Sequence, residues 1–176
     1  MTESKVEIRA AVLTVSDRSA RGEREDGSGP LLAELLREAG ATVVVRQVVS
    51  DELGPLARKL RALADRPDVN LVVTTGGTGL GPRDNTPEAT RSVVEREVPG
   101  IPEAMRAGTL GRTPTAMLSR AVCGTRSGAL LVNLPGSPKG VSECFAVIRP
   151  VLAHAVAQLA GRDHSEKGFD NAGGAA

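Results

Sequence analysis

Aromatic side chains are nearly absent from this chain: two Phe, no Tyr and no Trp in 176 residues. That scarcity excludes a single-strand nucleic-acid binder that stacks bases on aromatic platforms. It also leaves the core to Leu, Val, Ile and Ala. An excess of one charge sign is missing too. With 22 Lys and Arg against 21 Asp and Glu, the formal net charge is +1. No field gathers nucleic acid or an anionic membrane. Cysteine is scarce, and Cys123 and Cys144 form no CxxC pair, so neither a metal site nor a disulfide framework is expected. A reducing, cytoplasmic setting is the expectation. No run reads as long and apolar enough to span a bilayer, and Met1-Thr2-Glu3-Ser4-Lys5 lacks a signal-peptide pattern.

What is present is ordinary for a globular chain. Hydrophobic content of 40% and charged content of 24% suit one domain with a full-sized core.

The centre of the chain is Leu71 to Thr90, LVVTTGGTGLGPRDNTPEAT. It opens on a β-branched apolar run, typical of a strand buried on both faces. Gly76, Gly77, Gly79 and Gly81 follow. A helix start comes next, with Thr86 as N-cap, Pro87 at the first helical position and Glu88 in the first turn. Glycines let a backbone approach a ligand and expose N–H groups in a concave nest. A helix N-terminus adds partial positive charge, so phosphate is the natural guest. The P-loop pattern fails, because Gly-Pro-Arg-Asp stands where Lys and Ser or Thr are needed. The dinucleotide fingerprint fails in each frame across these glycines. The loop is either a phosphate binder of another kind or a structural turn.

Along the chain, strands alternate with helices. Strands are expected at 8–16, 41–49, 69–74, 121–124 and 129–134. Helices are expected from Ser28 or Gly29 to Gly40, over 52–64 with Asp51 as cap, over 86–97, 103–110 and 115–120, and from Ser137 to Ala160. The 18–27 segment reads either as a solvated loop or as a lid rooted at Ser16 and Asp17. Such alternation predicts a mostly parallel, helix-covered sheet, with ligands outside the carboxyl ends of its strands. Ser16, Asp17, Asp51, the glycine loop with Asp84, and Pro135-Gly136-Ser137-Lys139 then share one edge. Two carboxylates beside two anion-seeking loops suit a Mg²⁺ ion bridging phosphate oxygens. Lys139, Arg83 and backbone N–H groups would offset charge in a phosphoryl or nucleotidyl transfer. His154 and His164 lie away from this edge. Ser137 has no nearby base, which argues against covalent catalysis.

Thr75-Gly76-Gly77-Thr78-Gly79, Pro82-Arg83-Asp84-Asn85-Thr86-Pro87-Glu88-Ala89-Thr90, Leu118-Ser119-Arg120 and Leu134-Pro135-Gly136-Ser137-Pro138-Lys139 resemble the motifs of the MogA/MoaB molybdenum-cofactor proteins. The gephyrin G domain is a relative of that family. The resemblance covers about residues 8–161. It departs at Asn85, where many members carry Val, and at Leu80-Gly81.

The resemblance implies a three-layer α/β sandwich with a mostly parallel central sheet. It implies a molybdopterin-binding domain (8–161) after an N-terminal extension (1–7); the polar, small-residue stretch 162–176 reads by composition as a flexible C-terminal tail. It implies Mg-ATP-dependent adenylylation of molybdopterin with release of pyrophosphate; the alternative is a MoaB-type carrier that binds the pterin without catalysis. Asp51 and Asp84 match acidic residues linked to catalysis and metal. Thr75, Gly76, Gly77, Thr78, Gly79, Ser119, Pro135, Gly136, Ser137 and Lys139 match pterin and nucleotide contacts. Ser16 and Asp17 match the motif after the first strand. Family members are commonly trimers, some hexamers, and the product would pass to a molybdenum insertase.

Overall fold

The computed structural model describes residues 6–161. The expected C-terminal tail and His164 lie outside the described residues. The strands are β1 (Arg9–Val15), β2 (Thr42–Val49), β3 (Leu71–Thr75), β4 (Arg96–Glu97), β5 (Cys123–Arg126) and β6 (Ala129–Leu134). The helices are α1 (Asp17–Ala20), α2 (Ser28–Glu38), α3 (Leu53–Ala64), α4 (Thr86–Arg91), α5 (Gly100–Leu110) and α6 (Pro138–Leu159), with a 3₁₀ turn at Pro114–Leu118. One six-stranded sheet runs β2-β1-β3-β6-β5-β4. Its first four strands are parallel; β5 and β4 are antiparallel to their neighbours.

The three layers follow from the period-two alternation of the central strands. Ala10 and Val12, Leu71 and Val73, and Leu130 and Val132 face one side, packed with α2 and α6 residues such as Leu32, Leu36, Phe145 and Ile148. Ala11 and Leu13, Val72, and Leu131 face the other, against Leu56, Leu60 and Leu63 of α3 and Ala89 of α4. Both faces are covered, which is why these strands are continuously apolar.

Several boundaries differ from the sequence expectation. The 86–97 helix stops at Arg91, because Glu95 N–H turns to Thr125 O (2.8 Å) and Val98 N–H to Cys123 O (2.8 Å), building β4 against β5. The cap of α4 is Asn85. Thr86 is already helical, and its hydroxyl donates to Gly76 O at 2.8 Å. Helix α2 begins at Ser28 after Gly27, and Asp26 Oδ1 accepts Gly29 N–H at 2.9 Å. Asp51 does not cap α3; Glu52 holds that position without a side-chain bond. The 18–27 segment carries a short helix, α1, capped by Ser16 Oγ, which accepts Ser19 N–H at 3.2 Å. The β5 strand starts two residues late, since Val122 N–H goes to Asn133 Oδ1 (3.0 Å). The β5–β6 connection narrows to Ser127 and Gly128, both at positive φ (49° and 78°), as a twisted two-residue hairpin requires.

One expectation on hydropathy is corrected. Helix α6, 22 residues long, is long and apolar enough to cross a membrane by length and composition, with a mean hydropathy of 1.3 over an 18-residue window. Here its buried stripe, including Val141, Phe145, Ile148, Leu152 and Val156, packs in the core against the sheet, α2 and α5. The helix continues through Pro150.

Asn133, fully buried on β6, ties these layers together. Its amide donates to Thr74 Oγ1 (3.0 Å) and Thr90 Oγ1 (2.9 Å) while its oxygen accepts Val122 N–H. Asn133→Ala removes three buried hydrogen bonds, to Thr74 Oγ1, Thr90 Oγ1 and Val122 N–H. Urea unfolding should show a loss of about 3 kcal/mol, on the order of 1 kcal/mol per bond.

Candidate active site

Four turns meet at the carboxyl edge of the parallel strands: those after β1, β2, β3 and β6. Ligand sites in such sheets form where neighbouring connections diverge, here between β1 and β3. The approach is close. A Cβ on Gly76 would stand 2.3 Å from Val15 O, and Gly136 Cα lies just beyond it. Gly76 and Gly77 both have positive φ, 102° and 65°. Thr75 Oγ1 donates to Pro135 O at 2.8 Å, joining the β3 and β6 turns. Arg120 fastens the glycine loop from outside. Its backbone N–H reaches Thr78 O (2.9 Å), and its guanidinium reaches Gly79 O (2.7 Å), Asp84 O (2.6 Å) and the Glu88 carboxylate.

Asp17 and Asp51 form a reciprocal clasp between the β1 and β2 turns. Asp17 N–H donates to Asp51 Oδ2 at 2.7 Å, and Asp51 N–H to Asp17 Oδ1 at 3.0 Å. The pair is symmetric in hydrogen bonds but not in burial. The Asp51 N–H bond, then the Arg83 guanidinium at 2.6 Å, holds Asp17 below its ordinary 3.8. Burial pushes Asp51 above 3.8, with the neighbouring Asp17 and Asp84 charges adding to the shift against the Asp17 N–H bond.

The signs of the pH dependence are opposite. Asp17 contributes stability above about pH 3.8 that is lost as pH falls through its depressed value. Asp51 binds its proton more tightly when folded, so its contribution to stability falls as pH rises from 3.8 to its raised value. Chemistry that needs ionised Asp51 should therefore show an acid limb in kcat/KM centred above 3.8. Asp51→Asn should abolish that limb in whatever activity remains.

Two cavities open on this edge. The larger, about 520 Å³, is lined mainly by apolar groups and runs from Gly77–Leu80 past Met105, Leu118 and Ala121 to Cys144. Its polar lining includes Asp84, Arg106, Ser119, Ser137 and Glu143. The smaller, about 390 Å³, is polar, with Ser16, Ser19, Arg24, Asp26, Ser28, Asp51 and Thr75 in its walls. Gly77, Asp84, Gly136 and Ser137 line both. The cavities thus adjoin at the glycine loop and the N-terminus of α6.

The structure gathers most of the sequence-selected residues here. Ser16, Thr75, Gly76 and Asp51 face the small cavity; Thr78, Gly79 and Ser119 the large one; Pro135 lines the large one. Ser137 Oγ caps α6 by accepting Gly140 N–H at 3.0 Å. Asp17 and Lys139 line neither cavity. Asp17 is engaged by the clasp and Arg83, and Lys139 is exposed, 4.0 Å from Glu143 Oε1. His154 lies on exposed α6 surface, away from both cavities. Sequence reading missed Arg120 as a brace, and Asp26, Arg106 and Glu143 as wall residues. Only Arg120, inside the Leu-Ser-Arg motif, carried a signal.

A doubly covered, mostly parallel sheet with two glycine-bearing turns and paired carboxylates at its carboxyl edge has the form of a ligand-binding α/β fold. Comparison with known families makes the class specific. Residues 11–154 match the family described as "Probable molybdopterin binding domain", and the chain belongs to that family. It is 40% identical over 156 residues to the molybdopterin adenylyltransferase of Helicobacter pylori, covering 88% of this chain and 89% of that one. Identity to the Escherichia coli K12 molybdopterin adenylyltransferase is 38% over 151 residues, 85% of this chain and 77% of the other. The Drosophila melanogaster molybdenum cofactor synthesis protein cinnamon is 43% identical over 90% of this chain, which spans only 26% of that protein. Among solved structures, the molybdopterin biosynthesis enzyme MoaB of Thermus thermophilus superposes with a TM-score of 0.82 at 47% identity, covering 88% of this chain and 97% of that one.

Proposed function

We propose that this chain is a molybdopterin adenylyltransferase acting in molybdenum cofactor biosynthesis. The observation that carries the reading is the junction of the two cavities at Gly77, Asp84, Gly136 and Ser137. A two-substrate transfer needs its reacting groups held together in a fixed geometry. The larger, apolar cavity suits the fused rings of molybdopterin; the polar one suits the phosphates of ATP. At the junction the terminal phosphate oxygen of molybdopterin attacks the α-phosphorus of ATP. A new P–O bond forms, the α–β bridging P–O bond breaks, and pyrophosphate leaves with the electron pair.

The chain's own groups position and neutralise. Backbone N–H groups of the glycine loop and the first turn of α6 point at anions. Asp51 and Asp84 are the residues that would hold Mg²⁺. Their donors are oxygens only. Asp51 Oδ2 and Asp84 Oδ2 accept backbone N–H groups, which leaves Oδ1 of each for a cation. Burial is the main cause of the raised Asp51; the Asp17 and Asp84 charges add to it, and a dication would relieve that repulsion. Mg²⁺ characteristically takes one or two carboxylates plus substrate phosphates. When bound it would supply charge stabilisation on the phosphates. The same reading carries a cytoplasmic homotrimer, or a hexamer, that hands its product to a molybdenum insertase. Light scattering tests the oligomer.

Separate cavities make a binding prediction. Molybdopterin and a non-hydrolysable ATP analogue should bind together, each raising Tm further in the presence of the other. Mutual displacement in a titration would contradict the two-cavity assignment. The alternative is a carrier that binds the pterin without transfer. It requires pterin binding with no pyrophosphate release.

A further inference from the structure

The larger cavity holds two carboxylates with different surroundings. Asp84 sits at the junction, its Oδ2 committed to Gly81 N–H at 2.8 Å. Glu143 stands on α6, six residues beyond the Ser137 cap, about 9 Å along the axis at 1.5 Å per residue. Its side chain is only 14% exposed although it lies in a mostly apolar wall, between Cys144 and the 3₁₀ segment. Thr113 Oγ1 donates to Glu143 Oε2 at 3.2 Å, and Lys139 stays 4.0 Å from Oε1. An acid half-withdrawn from water, with one hydroxyl and one distant ammonium as partners, has unused acceptor capacity. Burying it without a recognition role costs free energy.

We propose that Glu143 is the specificity residue of the larger cavity, accepting the paired N–H donors of the ring's 2-amino-4-oxo pyrimidine edge. This rests on the proposed function above. A pterin presents an exocyclic amino group and a ring N3–H side by side. A carboxylate accepts both in parallel, as it does from a guanidinium. The placement divides the cavity. Asp84 and Ser137 take the phosphate end at the junction, and Glu143 takes the heterocycle edge farther up α6. Thr113 orients the carboxylate by holding one oxygen, which still has a second lone pair for the ring. A ring with a 2-oxo group instead of the amino group would set a carbonyl against this carboxylate and be rejected, because leaving a buried polar group unpaired discriminates strongly.

The test uses 6-hydroxymethylpterin monophosphate and its 2,4-dioxo counterpart as probes, titrated calorimetrically against the full chain and Glu143→Gln. The unchanged protein should prefer the 2-amino probe by at least about 10-fold, the scale of a charge-assisted hydrogen bond. Glu143→Gln should bind the 2-amino probe about 10- to 100-fold more weakly. It should lose or reverse the preference, since its amide N–H₂ can pair with the 2-oxo group. ATP affinity and Tm should not move, which separates recognition from a structural role. Glu143→Asp should keep the preference with weaker affinity. It also serves as the second variant should Glu143→Gln fold poorly. If the unchanged protein binds the 2-amino probe and neither variant changes the preference, the Glu143 assignment is overturned and the cavity assignment stands. If the unchanged protein binds neither probe nor molybdopterin, the pterin assignment itself fails.

Discussion

Asp84→Asn is expected to lower adenylyl transfer by about 10²- to 10³-fold while molybdopterin Kd stays within about threefold, because charge stabilisation at the reacting phosphates acts mainly in the transition state. Asn is the informative substitution. Asp84 has two jobs in the structure: it lines both cavities, and its Oδ2 holds Gly81 N–H at 2.8 Å. The Asn oxygen keeps that bond and so keeps the loop, while the charge and the cation donor are removed. Asp84→Ala removes both and should weaken pterin binding as well. Equal losses of turnover and pterin binding in Asp84→Asn, by single-turnover kinetics and calorimetry, would make Asp84 a positioning group.

Gly76→Ala is expected to destabilise the fold by about 3 kcal/mol or more, at the severe end for single substitutions. Two effects add. The residue has φ of 102°, where a side chain is strained, and the new Cβ would meet Val15 O at 2.3 Å. Val15 is buried at the end of β1, so its backbone has no room to retreat. Gly77→Ala gives a contrast, since its Cβ would meet the Thr86 hydroxyl at 2.4 Å. That side chain can rotate, at the loss of its bond to Gly76 O, so Gly77→Ala should cost less. A Gly76→Ala protein within about 1 kcal/mol of the parent in urea unfolding would refute the close approach of the β1 and β3 turns.

These cases show what the chain makes legible and what it withholds. The alternation of strands with helices, the mostly parallel sheet and the shared edge follow from apolar runs alternating with amphipathic ones, and from the glycine and Ser-Pro signals at 76–81 and 137–138. Local chemistry settles such features. The direction of a polar side chain is settled elsewhere. Asp51 reads as a helix cap, and becomes half of a clasp because Asp17 N–H lies 34 residues away in sequence but 2.7 Å away in space. Lys139 reads as a phosphate ligand from its motif, but it lines neither cavity. Helix α4 loses its expected last turns to pairing with β5, a partner about 30 residues downstream. Glu143 and Arg106 carry no local signal, because they become cavity walls only when α5 and α6 pack together.

The most direct measurement of the central claim is pyrophosphate release by the full chain given molybdopterin, ATP and Mg²⁺. The junction of the two cavities requires release that depends on molybdopterin, matches adenylyl-molybdopterin one for one, and falls with Asp84→Asn. Binding of both substrates with no pyrophosphate above the molybdopterin-free control would contradict it.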